Sequence, residues 1–143
     1  MTDILLIDKS QICRVLADKE GLSISVSDND IIGLNSAIAL KPSVILLDYH
    51  LRKQETPEYI SLLVKGCLTS KIVLIADQLE EFDLMDCLIA GAHGYASIEM
   101  LDRQFNKLIA AIMAGEAWIS RRMVGKVLDR LRETLVSQNI KAV

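Results

Sequence analysis

The chain has 143 residues and a mass of 15.9 kDa, enough for one domain with a substantial core. Its apolar fraction of 51% and mean hydropathy of +0.31 exclude extensive disorder, and its net charge of −3 argues against a broad basic face for nucleic acid. No apolar run approaches the roughly 20 residues that cross a bilayer, and the N-terminus carries neither a basic region nor a cleavage signal. We therefore expect a soluble cytoplasmic protein without membrane contact.

The first predicted strand covers residues 4–7, an apolar run without alternation that ends at Asp8. A run of this kind is typical of a strand buried on both faces of a parallel sheet. Ser10 then predicts the cap of a helix over about residues 11–19. The next strand, residues 23–26, alternates polar and apolar residues, which predicts a half-exposed position near a sheet edge.

A helix over about residues 30–40, capped by Asp28 or Asn29, follows. Its inward face is predicted to carry Ile31, Leu34 and Ile38. The third strand, residues 44–47, is again uninterrupted and apolar, and it ends at Asp48. Because the carboxyl ends of parallel strands meet at the edge of a sheet where ligands bind, Asp48 and the carboxylate that ends the first strand are candidates for one site.

The second half of the chain continues to alternate strands and helices. Strands are predicted over 72–75 and 95–98, and helices over 57–67, 80–90 and 102–114. This alternation predicts an α/β fold with a doubly wound five-stranded parallel sheet, right-handed crossovers and helices on both faces.

A further helix, capped by Ser120, is predicted over about residues 121–137. Its apolar residues recur at 4-3-4 spacing with basic residues on either side, the pattern of a narrow helix–helix contact. These apolar residues, which we call the seam, are Val124, Leu128, Leu131 and Leu135. The seam should pack against the domain, a partner chain or a second copy. We assign residues 1–115 to the domain and 116–143 to a linker helix.

The cysteines and histidines predict no metal site. Cys13, Cys67 and Cys87 are odd in number and lack the spacing of zinc ligands, so buried reduced thiols are expected. His50 and His93 have no cysteine or carboxylate at a ligand spacing, and surface histidines are expected.

Three features together carry a family resemblance: Asp8 after the first strand, Asp48 after the third, and the turn of residues 91–95 (Gly-Ala-His-Gly-Tyr) before the fifth. In this combination the chain resembles a response-regulator receiver domain. Residues 110–122 are similar to the end of the receiver and the linker in the NarL/LuxR class of transcription regulators. The resemblance covers essentially the whole chain and implies the flavodoxin/CheY-like form of the predicted fold, a regulatory domain that is not an enzyme.

In receiver domains a histidine kinase phosphorylates the aspartate after strand three, which is Asp48 here. The resemblance also implies how Mg²⁺ is held, by an acidic pair after strand one and by the backbone carbonyl two residues beyond the phosphoacceptor, at His50. A hydroxyl after strand four and a lysine after strand five hold the phosphoryl oxygens. Tyr95 matches the aromatic residue whose rotation reports phosphorylation, and either a fixed rotamer or a switch fits the sequence.

Three pocket positions depart from that pattern. The second acidic residue is Lys9, the hydroxyl position is Ala76 and the lysine position is Ile98. A lysine offers no lone pair and repels a metal ion, since unit charges a few Å apart interact by roughly 4 kcal/mol at an intermediate dielectric. We therefore expect no cofactor, and no effective Mg²⁺ site at the family's metal positions, Asp8 and Asp48. Lys9 either pairs with Asp48 in place of the metal or points to solvent.

Three functions remain open at this stage. The first is a degenerate receiver of a DNA-binding transcription regulator that signals by protein association, as a homodimer, rather than by Mg²⁺-dependent phosphorylation. The resemblance implies a sensor histidine kinase as partner, and contact with DNA only through a helix-turn-helix domain that this sequence does not contain. The second is a working phosphoacceptor modified at Asp48 by a histidine kinase. The third is an unrelated enzyme or nucleotide binder on the same fold.

Overall fold

The computed structural model describes residues 2–8, 16 and 22–142. The strands are β1 (Thr2–Ile7), β2 (Leu22–Ser27), β3 (Val44–Asp48), β4 (Lys71–Ile75) and β5 (Gly94–Ala96). The described residue Leu16 is helical, and the α-helices with both ends described are α1 (Asp30–Leu40), α2 (Thr56–Gly66), α3 (Glu81–Ala90), α4 (Ile98–Met113) and α5 (Arg121–Ala142). No helix in this part of the chain is both long and apolar enough to cross a membrane.

The strands form one parallel sheet in the order β2-β1-β3-β4-β5. In its register Ile7 lies beside Leu47, and Asp48 lies beside Ile75. Helices pack on both faces: side chains of α1, α2 and α3 share one apolar cluster with the sheet, and side chains of α4 share the other. The predicted doubly wound five-stranded fold is confirmed, and β2 lies at an edge as its alternation predicted.

The uninterrupted apolar runs became the centre of the sheet. Every residue of β3 is buried, and successive residues enter opposite clusters. Ile45 and Leu47 face the side of α1, α2 and α3, whereas Val44 and Leu46 face the side of α4. Side chains in a strand alternate between faces, so a central strand covered by helices on both sides must be apolar at every position.

Of the three residues predicted on the inward face of α1, Leu34 packs against the core as predicted, but the other two do not. Ile31 and Ile38 are 68% and 44% exposed, whereas Gly33 and Ala37 are buried. A Cβ atom at Gly33 would lie 2.9 Å from Cγ2 of Ile7, so the helix approaches the sheet closely through its small residues. Close backbone approach of this kind needs glycine or alanine and leaves the larger side chains on the flanks.

The predicted end of the fifth strand is also wrong. β5 ends at Ala96, and Ile98 is the first residue of α4 rather than the last of a strand. The reason is a helix cap: the hydroxyl of Ser97 accepts a hydrogen bond from the backbone N–H of Met100 at 3.1 Å. This cap starts the helix four residues before the predicted 102.

Most of the predicted helix over residues 11–19 lies outside the described residues, as does Ser10. Leu16, the one described residue in that range, is helical and buried.

The segment between α4 and α5 joins the sheet at β5. Trp118 forms a parallel bridge with Gly94: its N–H donates to the carbonyl of His93 at 3.1 Å, and its carbonyl accepts from the N–H of Tyr95 at 3.0 Å. A Cβ at Gly94 would lie 2.8 Å from the Cβ of Trp118 and 3.0 Å from its carbonyl oxygen. The bridge, which we call the linker contact, therefore depends on a glycine at this position.

Candidate functional site

Asp8 and Asp48 lie at neighbouring strand tips. Both are buried, with 4% and 1% of their surface exposed. Because Ile7 and Leu47 are register partners, the residues that follow them lie on adjacent strands, about 4.8 Å apart at the backbone. The two carboxylates that the sequence singled out therefore lie close together in a buried place. We call the site formed by Asp8, Asp48 and Ala76 the strand-tip pocket.

The carboxylate of Asp48 caps the turn that follows β3. Its Oδ1 atom accepts a hydrogen bond from the backbone N–H of His50 at 3.0 Å, and Nδ1 of the same histidine lies 3.2 Å from that oxygen. The capped turn is the 3-10 helix Tyr49–Leu51. The phosphoacceptor position of the resemblance is thus bonded to its own loop, and the imidazole of His50 is half-exposed beside it.

An arginine, not predicted from the sequence, anchors that loop. The guanidinium of Arg52 donates to a carboxylate oxygen of Asp30 at 2.8 Å and lies over the ring of Tyr59, 5.6 Å from its centroid. The hydroxyl of Tyr59 donates to the backbone carbonyl of Asp30 at 2.6 Å. The hydrogen bond from Arg52 lowers the pKa of the Asp30 carboxyl. These residues come from three segments without a shared motif, so no local pattern points to the cluster.

The positions expected to hold phosphoryl oxygens offer no polar side chain. Ala76 follows β4 and is buried. Ile98 is partly buried at the start of α4, where its backbone N–H donates to Oδ1 of Asp77 at 3.2 Å. Ile98 also packs against the apolar cluster on the α4 side of the sheet. The pocket positions taken over by apolar residues are therefore used for packing and helix capping.

Tyr95 is held by backbone atoms. Its hydroxyl donates to the carbonyl of Ala76 at 3.1 Å, and its backbone N–H donates to Trp118. Burial, with a smaller contribution from Asp77, raises the pKa of the phenol. A ring bonded in this way does not need the hydroxyl side chain that is missing at position 76. Whether the ring switches between rotamers stays a prediction.

Within the described residues, the strand-tip pocket offers two carboxylates as side-chain ligands for Mg²⁺. Among the residues that the structure describes, no three His, Cys, Asp or Glu side chains come together as a metal-binding group. Asp8 and Asp48 supply two carboxylates, but one oxygen of Asp48 already accepts hydrogen bonds from His50. Mg²⁺ requires near-octahedral oxygen ligands. Lys9 lies outside the described residues, so both alternatives, pairing with Asp48 and exposure to solvent, stay hypotheses.

His93 is not the surface residue that the sequence predicted. It is partly buried, and its Nδ1 accepts a hydrogen bond from the backbone N–H of Ile72 at 3.1 Å, while the backbone N–H of His93 donates to the carbonyl of Ile72 at 2.7 Å. Burial, and to a lesser extent the charge of Lys71, lowers the pKa of this imidazole. The neutral ring clamps the start of β5 to β4.

Two of the three cysteines are buried free thiols, as predicted. Burial raises the pKa of the Cys87 thiol to about 12 and also raises that of Cys67. Both therefore stay protonated and unreactive near neutral pH. Cys13 lies outside the described residues.

Known structures share the fold at low sequence identity. A LuxR-family two-component response regulator from Aurantimonas sp. SI85-9A1 is 16% identical with a TM-score of 0.73, over 91% of this chain and 97% of that one. The isolated REC domain of RcsB from Salmonella enterica serovar Typhimurium is 14% identical with a TM-score of 0.74, over 90% and 99%. The signal receiver domain of NarL from Mycobacterium tuberculosis is 18% identical with a TM-score of 0.70, over 80% and 98%.

No protein-family model and no curated protein matches the sequence. At these identities the likeness shows the fold alone, which is that of response-regulator receiver domains.

Proposed function

We propose that the chain is the regulatory receiver of a NarL/LuxR-class response regulator whose phosphorylation pocket is degenerate, and that it signals by protein association. The observation that carries the proposal is the strand-tip pocket. It keeps the buried pair Asp8 and Asp48, yet has Ala76 and Ile98 where a phosphoryl group needs a hydroxyl and a lysine.

The chemistry supports this reading. A carboxylate that attacks a phosphorus atom must do so against the charge of the phosphoryl oxygens, and receivers neutralise that charge with a divalent cation and a fixed lysine. Position 9 is a lysine, so one metal ligand is missing and a positive charge that would repel Mg²⁺ is added. Position 98 is an isoleucine, so no lysine is present there to neutralise the phosphoryl oxygens. Attack by Oδ1 of Asp48 would in addition break its hydrogen bonds from His50.

The organisation follows the same resemblance. Residues 1–115 act as the receiver and 116–143 as the linker, and the chain works as a homodimer. A sensor histidine kinase is the partner expected of the class, and DNA would be contacted only by a helix-turn-helix domain joined to such a linker. The chain itself regulates and is not an enzyme.

A phosphorylation assay tests the proposal. The wild-type chain is incubated with Mg²⁺ and a small acyl phosphate, and its intact mass is measured. The matched variant restores the pocket with Lys9→Asp, Ala76→Thr and Ile98→Lys. We expect no added phosphoryl group on the wild type and a clear gain on the restored variant. The gain should disappear when Asp48→Asn is added.

The same assay decides the alternative function, a working phosphoacceptor. The burial of Asp48 beside Asp8 at the strand tips favours that alternative, because the nucleophile and one acidic partner are both in place. A gain on the wild type that depends on both Asp48 and Mg²⁺ would establish phosphorylation and refute the degenerate pocket.

A further inference from the structure

Helix α5 has two apolar sides, one packed against the domain and one exposed. The docked side packs on α3 through Met123, which is buried, and Val127, which is partly buried. The seam is more exposed, from 37% at Val124 to 59% at Leu135, although Leu131 also borders a groove against the domain. The domain therefore docks one face of the helix and leaves the seam partly in solvent.

The helix also continues beyond the body that supports it. Arg130, Leu131 and Thr134 line a groove with Ala90, the last residue of α3, and α5 runs on to Ala142. Those eight further residues add about 12 Å at 1.5 Å per residue. Leu135 is exposed there, and Val136 is 56% exposed. Because helices in water owe most of their stability to burying an apolar face, this extension calls for a partner.

We propose that the partner is a second copy of this chain, and that the two α5 helices lie in parallel along their seams. A 4-3-4 repeat fits another helix that carries the same repeat, which a second copy supplies in register. The proposal rests on the proposed function in one respect, since it identifies the surface through which the module associates.

Charge allows this pairing although the helix is basic. Arg122 and Lys126 are paired with Glu81, and Arg130 lies 2.8 Å from a carboxylate oxygen of Asp86. These ion pairs with α3 neutralise much of the charge that would otherwise keep two basic helices apart. Because these basic residues are paired with α3, charge repulsion opposes the approach of a second copy less strongly.

The parallel orientation follows the heptad positions of the seam. Val124 and Leu131 share one position of the repeat, and Leu128 and Leu135 share the other. In a parallel pair in register, each of these residues lies beside its own copy, and the apolar layers match along the contact.

Gly125, next to Val124 of the seam, is a second feature that contacts within the described residues do not explain. Glycine weakens a helix interior, yet among the described residues nothing lies within 4 Å of a Cβ built at this position. The missing side chain leaves room for a neighbouring helix beside the seam.

The first experiment measures the oligomeric state by sedimentation equilibrium, without any phosphodonor, from low micromolar to near-millimolar concentration. We expect a dimer for the wild type. Leu128→Glu with Leu131→Glu should weaken the dimer roughly a hundredfold or more, because a charge would be buried at the centre of the contact. The matched control, Ile31→Glu with Ile32→Glu, changes two exposed isoleucines of α1 and should leave the dimer intact.

A monomeric wild type at every concentration would overturn the proposal, and so would a seam variant that dimerises as well as the wild type. Far-UV circular dichroism and the fluorescence of Trp118 show whether each variant is folded. The degenerate pocket would survive either result, since the phosphorylation assay measures it separately.

A cysteine variant tests the orientation and does not depend on the glutamate variants. Leu135→Cys in a Cys13→Ser background should form a covalent dimer on mild oxidation, because a parallel pair places the two residues 135 side by side. Cys67 and Cys87 are buried and do not interfere. If this variant fails to crosslink, while Val124→Cys chains crosslink to Leu135→Cys chains, the helices are antiparallel and the proposed orientation is wrong.

Discussion

The strand-tip pocket and the linker contact meet at one residue but are built differently. In the pocket, carboxylates are buried, and Asp48 is bonded by a residue two positions away, His50. At the linker contact the close approach is between Gly94 and Trp118, 24 positions apart, and the charges nearby are partly exposed. Tyr95 joins the two, with its hydroxyl on the pocket and its N–H on the linker.

The strand-tip pocket and the linker contact differ in how well they tolerate a change of side chain. The pocket holds apolar residues at positions where the resemblance to receiver domains implies polar ones, and the sheet around it remains regular, because Ala76 and Ile98 fit as packing residues. The linker contact has no such tolerance, since a Cβ at Gly94 would meet the backbone of Trp118. We therefore expect substitutions to cost more at the contact than in the pocket.

Gly94→Ala should have the largest effect. The added Cβ must displace the carbonyl of Trp118, and overpacking of this kind costs about 2 kcal/mol. Urea denaturation followed by circular dichroism gives the stability, and the fluorescence of Trp118, the only tryptophan, reports the linker. The matched control is Gly66→Ala, whose Cβ would meet the side chain of Ile38, which is half-exposed and able to move. An equal loss in both variants would contradict the contrast.

Removal of two tyrosine hydroxyls should have the next largest effects on stability. The hydroxyl of Tyr59 belongs to a buried residue, and that of Tyr95 to a partly buried one. Tyr59→Phe removes a 2.6 Å bond to the carbonyl of Asp30 and should cost about 1.5 kcal/mol. Tyr95→Phe removes a 3.1 Å bond to Ala76 and should cost about 0.5–1 kcal/mol. Both are measured by urea denaturation at pH 7. A greater loss for Tyr95→Phe would indicate that the link between pocket and linker carries more stability than its geometry implies.

The clamp of His93 predicts a dependence on pH. Its pKa is lowered in the fold, so the neutral form is the stable one, and the unfolded chain binds a proton first as the pH falls. The stabilisation is complete above the unfolded pKa of about 6.5 and is lost as the pH falls through the folded value, by at most about 1.4 kcal/mol per pH unit.

The stability of the wild type and of His93→Gln is measured by urea denaturation from pH 7.5 to pH 5, with His50→Gln as control. The wild type and the control should lose stability over this range, and His93→Gln should lose less. Identical slopes in all three proteins would show that the clamp does not titrate.

The smallest effect is expected at Glu81. Lys126 and then Arg122 lower the pKa of its carboxyl, but these groups are partly exposed and salt screens them. Glu81→Gln should slightly increase hydrogen exchange in α5 at low salt and have no effect at high salt. Glu133→Gln, on the same helix, is the control and should change neither value. A large change that persists at high salt would mean that the ion pairs hold the helix more firmly than surface pairs do.

The sequence predicted the sheet and the pocket because their signals are local or repeated. Apolar runs ending in Asp8 and Asp48 mark buried strands, and the turn of residues 91–95 completes the resemblance. What it could not predict depends on pairs far apart in the chain. Nothing near Arg52 indicates Asp30, and nothing near Gly94 indicates Trp118.

Two of the three residues predicted on the inward face of α1 are exposed for a related reason. Hydrophobicity ranked Ile31 above Gly33, but the distance between helix and sheet was set by the smaller residue. Similarly, the cap formed by Ser97 outweighed the apolar character of Ile98 and began a helix where a strand was predicted. Sequence patterns reported which residues are apolar, and sterics and capping decided how they were used.

The bridge between Gly94 and Trp118 bears on solubility. Without it, the N–H of Tyr95 and the carbonyl of His93 would lose their partners at the outer side of β5, a template on which strands of other molecules assemble. Trp118 thus covers this edge of the sheet and hinders intermolecular pairing there. A fragment cut after residue 115 would lack that cover and should aggregate more readily than the longer chain.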